Sequence, residues 1–216
     1  QLFSAMVAST VFLLGFLLNG VLTDFKESEK IPGELATSLQ SLKLEIQAIQ
    51  VYHPEARVAA ALEAVAGLGH YLIDWFMERI TTEQILLSYE RAHGEVVNAA
   101  VQFKGDASTL RGRLMQDMAV ILQKINRVQT IRDTTFVPLV YWMADIAVVL
   151  LFGGLVMARS ENILESVFFL GVISFILILL LRLIDDIDNP FGLSDLDSAE
   201  DVSIQLLENA VDRLKV

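Results

Sequence analysis

Ala8, Phe12 and Phe16 recur at i, i+4 and i+8, so on a helix they share one face, with Asn19 a turn further along. Leu2 to Leu22 contains no ionisable residue, whereas Asp24, Lys26 and Glu27 follow at once. On a lone apolar helix such a stripe is a packing seam. In a ring of subunits it would line an axial path, where phenylalanine edges, weakly positive and greasy, admit a partly dehydrated anion.

Two further places carry residues suited to chemistry. Asp145 is the one charge between Phe136 and Ala158, and Pro138 before it frees a carbonyl one turn back. An intramembrane carboxylate marks either a functional site or a structural tie to a hydroxyl, an indole or Arg182. Either way it is expected against protein rather than lipid. The other place is the run Asp185, Asp186, Asp188, then Asp195 and Asp197, around the turn Asn189-Pro190-Phe191-Gly192. Oxygen-rich turns hold Ca²⁺. The spacing is not that of an EF-hand, however, and a solvated turn is the commoner result of such composition.

Other chemistries are poorly served. With no cysteine there is no disulfide, thiolate metal site or cysteine nucleophile. His53, His70 and His93 lack metal-ligand spacing. No glycine-rich phosphate loop or serine–histidine arrangement suggests an enzyme. The net charge of -11 argues against a nucleic acid partner.

The elements that must position these residues are helical throughout. Hydrophobic residues make up 54% of the 216, concentrated in three windows: Leu2 to Leu22, Phe136 to Ala158 and Asn162 to Ile184. Each is long enough to cross a hydrocarbon core about 30 Å thick at about 1.5 Å per residue. The chain starts at Gln1 without a methionine, so a segment upstream is expected. Between the first two windows the spacing predicts four helices. One opens at Pro32. The next carries Val58, Leu62, Val65, Leu68, Leu72 and Trp75/Phe76 on a stripe. A third starts at a capping-box pair, Thr81 and Gln84, and closes at Gly105. The last, after an Asp106 cap, repeats Leu110, Leu114, Met118, Ile121, Ile125 and Val128. Near the C-terminus Val202, Leu206, Leu207, Val211 and Leu214 form the apolar face of an amphipathic helix.

The expected organisation is therefore all-α. Residues 1–23 form a membrane helix, 24–133 a helical extramembrane domain, 134–184 a membrane hairpin, and 185–216 an acidic turn with a C-terminal helix. Only Arg159 to Asn162 separates the hairpin's two windows, which makes it tight and antiparallel. The domain and the tail then share one side of the bilayer. That side holds most Lys and Arg, so it is the cytoplasmic or stromal one.

Together the segments resemble the bestrophin family of pentameric anion channels, including its bestrophin-like branch in bacteria, algae and plants. Three islands carry the resemblance. "VFLLGFLLNGVLTDF", Val11 to Phe25, is similar to the family's pore-lining helix and its cytosolic extension. "RDTTFVPLVYW", Arg132 to Trp142, is similar to the entry of the next membrane helix. "DDIDNPFG", Asp185 to Gly192, is similar to the acidic turn that closes the membrane region. The resemblance implies a ring-forming homopentamer in a lipid bilayer, a bacterial inner membrane or a plastid thylakoid membrane, passing small anions such as chloride or bicarbonate. It places Ala8, Phe12 and Phe16 at the three hydrophobic neck positions; the family carries large side chains at all three, so Ala8 widens the outer ring. Asn189, Asp195 and Asp197 match the family's Ca²⁺ clasp, with Ser194 where the family has a carboxylate. Weak or absent Ca²⁺ binding is expected, and no other cofactor. The family's first membrane helix would precede Gln1. The acidic balance suits an anion path only if basic residues such as Arg111, Arg113, Lys124 and Arg127 face the axis. The rival expectation is a non-conducting accessory subunit of a larger membrane complex.

Overall fold

The computed structural model describes residues 2–102, 108–133, 138–157, 163–188, 190–191 and 202–214. Within them the chain forms α1 (Leu2–Ser28), α2 (Ile31–Tyr52), α3 (Ala59–Phe76), α4 (Thr82–Gln102), α5 (Ser108–Asp133), α6 (Pro138–Met157), α7 (Ile163–Asp188) and α8 (Gln205–Leu214). Among the described residues there is no strand, as the sequence's spacing requires. The chain divides into two compact units, one of Gln1–Lys26 with Ile131–Pro190 and one of Glu27–Thr130 with Phe191–Val216.

The first unit holds the apolar helices. Leu14, Leu17 and Val21 of α1, Ala144 and Leu151 of α6, and Leu177, Ile184 and Ile187 of α7 make one buried cluster. Leucine and isoleucine at helical spacing on all three elements let side chains of adjacent turns interdigitate. Among the described residues, the helical run Val7–Tyr52 contains a window long and apolar enough to cross a membrane, and Trp142–Gly154 is a shorter apolar helix. The expected hairpin turn, Arg159 to Asn162, lies outside the described residues.

The second unit is built from amphipathic helices, with α3 packed on α4 and α8 lodged against α2 and α3. The predicted stripe of α3 is buried from Leu62 to Phe76. That of α5 is buried at Leu114, Met118, Ile121, Ile125 and Val128, with Leu110 half-buried. α2 begins with Pro32 in its first turn, where a missing N–H costs nothing. The reciprocal capping box at the start of α4 is present. The Gln84 side chain accepts from the Thr81 N–H at 2.8 Å, and the Thr81 hydroxyl accepts from the Gln84 N–H at 3.4 Å. Gly105 and Asp106, read as a helix stop and start, lie outside the described residues.

One helix face differs from expectation. Leu206 is 66% exposed, and α8 buries Leu207, Ala210, Val211 and Leu214 instead. At about 100° per residue, Leu206 stands at the edge of the arc centred near Leu207 and Leu214. The small Ala210, about 40° closer to that centre than Leu206, is buried in its place. α8 approaches α3 closely at Gly69, where an added Cβ would lie 2.7 Å from Val211 Cγ2. The Lys43 ammonium also donates to the Arg213 carbonyl at 2.6 Å, tying α2 to the end of α8. Phe191 is buried against Phe76, ring centroids 5.5 Å apart, and Phe76 in turn meets Trp75 at 5.5 Å.

Candidate functional site

α1 is apolar around most of its circumference, so packing alone decides which side is covered. Leu14, Leu17 and Val21 are fully buried against α6 and α7, while Phe12 is 77% and Phe16 60% exposed. Ala8 and Asn19 are exposed with them. Helical geometry puts Phe12 and Phe16 about 40° apart and nearly opposite the Leu14–Val21 arc. The uncovered face carries no charge from Ala5 to Thr23 and mixes small, aromatic and polar groups. Thr23 donates its hydroxyl back to the Asn19 carbonyl at 2.7 Å, which satisfies the hydroxyl within the helix itself.

Asp145 sits beside the buried Ala144 but is itself exposed, among exposed Trp142, Ile146 and Val149. Among the described residues it makes no hydrogen bond or ion pair, and Arg182, also exposed, is not its partner. Of the acidic turn, Asn189, Asp195 and Asp197 lie outside the described residues. Among the described residues no cluster of metal-ligating side chains forms.

The basic residues of α5 are engaged within the second unit. The Arg127 guanidinium grips the Glu27 carboxylate in two places, Nε to Oε1 at 3.2 Å and Nη2 to Oε2 at 2.6 Å. This hydrogen bonding, reinforced by the charges of Arg127, Lys124 and Lys30, outweighs burial and holds the Glu27 carboxyl below its ordinary value. Lys124 forms an ion pair with Glu34. Arg111 donates to the Ala100 carbonyl at 3.1 Å. Arg127 and Lys124 thus spend their charge on acidic partners at the junction of α1 and α2.

Sequence spacing gave no sign of a second charged group. Glu45 of α2 has one carboxylate oxygen buried without a hydrogen-bond partner. Burial first, then the neighbouring Asp117 of α5, raises its pKa, against a smaller opposing pull from Arg113. Two acids distant in the chain meet here, which no local motif could announce.

The described residues thus form helices only, with a bare, charge-free stripe on an apolar helix and a separate amphipathic helical unit. The fold is bestrophin-like. A solved structure of a bacterial bestrophin homologue from Klebsiella pneumoniae superposes with a TM-score of 0.76 at 15% identity, covering 98% of this chain and 84% of that one. A single-substitution variant of a bacterial bestrophin homologue from the same organism gives 0.76 at 14%, with the same coverage. An alanine variant described as a membrane protein gives 0.78 at 15%, again over 98% and 84%. No family model matches the sequence, and no curated protein matches it significantly. The resemblance carried by three short islands is borne out as a fold over nearly the whole chain.

Proposed function

We propose that this chain is an integral membrane protein that assembles as a ring of five and passes small anions, such as chloride or bicarbonate, passively down their gradient. The observation that carries this is the uncovered face of α1. Ala8, Phe12 and Phe16 stand free on the side away from the helix's own core, where a symmetric ring would turn them to its axis. Such a neck needs no cofactor and no turnover: phenylalanine edges favour an anion that has shed part of its water. The acidic turn with Asn189, Asp195 and Asp197 serves as a structural turn without calcium gating. A bacterial inner membrane or a plastid thylakoid membrane would house the assembly, with the helical unit on the cytoplasmic or stromal side.

One observation favours a second reading, a non-conducting accessory subunit of a larger membrane complex. Arg127 and Lys124 are neutralised by Glu27 and Glu34, which leaves less positive potential to draw anions towards the path in a chain of net charge -11. Anion flux through liposomes reconstituted with the purified protein decides between the two. Flux that follows the anion gradient supports the channel; sealed liposomes holding intact assemblies support the accessory role.

A further inference from the structure

Asn19 is exposed on the same face as Phe12 and Phe16. Helical rise and rotation place it about 4.5 Å beyond Phe16 and within about 20° of the direction of Phe12. Among the described residues its carboxamide makes no hydrogen bond; the Thr23 hydroxyl uses its backbone carbonyl, not its side chain. Apart from the exposed Asp145 and Arg182, the exposed faces of the other apolar helices are different in kind. From Ile146 onward α6 shows Val149, Leu150 and Phe152, and α7 shows Val172, Phe175 and Leu179. Those surfaces suit acyl chains. An unpartnered amide does not, because hydrocarbon leaves both its donors and its acceptor unsatisfied. Ser9 and Thr23 are exposed on the Asn19 side of α1 as well, so that side fronts water or another polar surface.

We propose that Asn19 is the specificity-determining residue at the inner end of the neck, an inference that rests on α1 lining the path. An anion among phenylalanine edges has lost water and gained only weak quadrupolar attraction. One turn on, the carboxamide offers two N–H donors, and a ring of copies offers a girdle of them without any fixed charge. Such donors replace hydration most usefully for a small, strongly hydrated anion such as chloride. A large, weakly hydrated anion such as thiocyanate gains less. Asn19 therefore narrows the preference for weakly hydrated anions that an all-apolar neck would impose.

The test is the thiocyanate-to-chloride permeability ratio, from reversal potentials of the full chain in planar bilayers under bi-ionic conditions. Asn19→Leu should raise the ratio by roughly two- to tenfold, the factor matching one net hydrogen bond. Asn19→Gln, which keeps the donors, should stay near the unsubstituted value. Asn19→Ala removes the donors without adding bulk and gives the same readout if leucine disturbs assembly. An unchanged ratio in Asn19→Ala, beside an altered one in Phe12→Ala/Phe16→Ala, overturns the role of Asn19 and leaves the path intact. Absence of anion current in the unsubstituted protein overturns both.

Discussion

Phe12 and Phe16 are large apolar side chains left uncovered on a helix whose opposite side is fully packed. Truncating them removes no contact from the buried cluster of α1, α6 and α7, so Phe12→Ala with Phe16→Ala should leave assembly intact. Single-channel recording is expected to show higher conductance or weaker anion selectivity; unchanged currents would take both residues off the path. Asp145 poses the opposite problem, a charge on an otherwise apolar exposed surface. Left in hydrocarbon it would cost about 2.5–3.5 kcal/mol on insertion scales, so a donor from a neighbouring chain is expected to cover it. Asp145→Asn keeps a hydrogen-bonding group and should assemble nearly normally, as judged by particle size in detergent. Failure to assemble would assign a charge pair instead.

At the scale of elements, the contacts of α8 with α3 and of α5 with α2 make separate demands. Gly69 lets α8 come close, and Gly69→Ala would push a methyl group to 2.7 Å from Val211 Cγ2. Overpacking of this kind costs about 1–3 kcal/mol, and Gly69→Ala with Val211→Ala should recover part of it in thermal unfolding. Across α2 and α5 two carboxyls shift in opposite senses. Glu27, held below its ordinary 4.5 by Arg127, adds stability above the unfolded pKa and loses it as pH falls through the folded one. Solvent screens this exposed pair, so the effect is small. Glu45, raised above 4.5 by burial and Asp117, behaves inversely. Its favourable contribution is complete below the unfolded pKa and disappears as pH rises through the folded one. Glu45→Gln should therefore raise the melting temperature at neutral pH, with the gain shrinking as pH approaches 4.5. A gain that persists at acidic pH would deny the carboxylate its cost.

At the scale of the whole molecule, the proposed path exists only if several copies of α1 surround one axis. The chain carries a net charge of -11, and with Lys124 and Arg127 paired to acids, the neck's own dipoles and donors carry a larger share of any attraction for anions. Mass measurement and symmetry in mild detergent provide the check. Five identical copies are the expected result. A single copy held among unrelated subunits would replace the channel with the accessory role.

The sequence by itself determined the features that depend on spacing along the chain. Three apolar windows, the buried stripes of α3 and α5, and the Thr81–Gln84 capping box are all written in residues a few positions apart, because helix geometry repeats over that distance. The islands around Phe12, Pro138 and Pro190 carry the resemblance to the bestrophin-like fold. The stripe of Ala8, Phe12 and Phe16 could likewise be read from its period, but its exposure could not. A helix apolar on nearly every side has no periodic contrast to mark the covered face; only the packing of Leu14, Leu17 and Val21 against α6 and α7 does so. Tertiary structure also decided that Leu206 turns outward, that Arg127 and Lys124 answer Glu27 and Glu34, and that Glu45 meets Asp117. Each of these depends on which helices become neighbours, and residues far apart in sequence carry no local signature of the surface they will share.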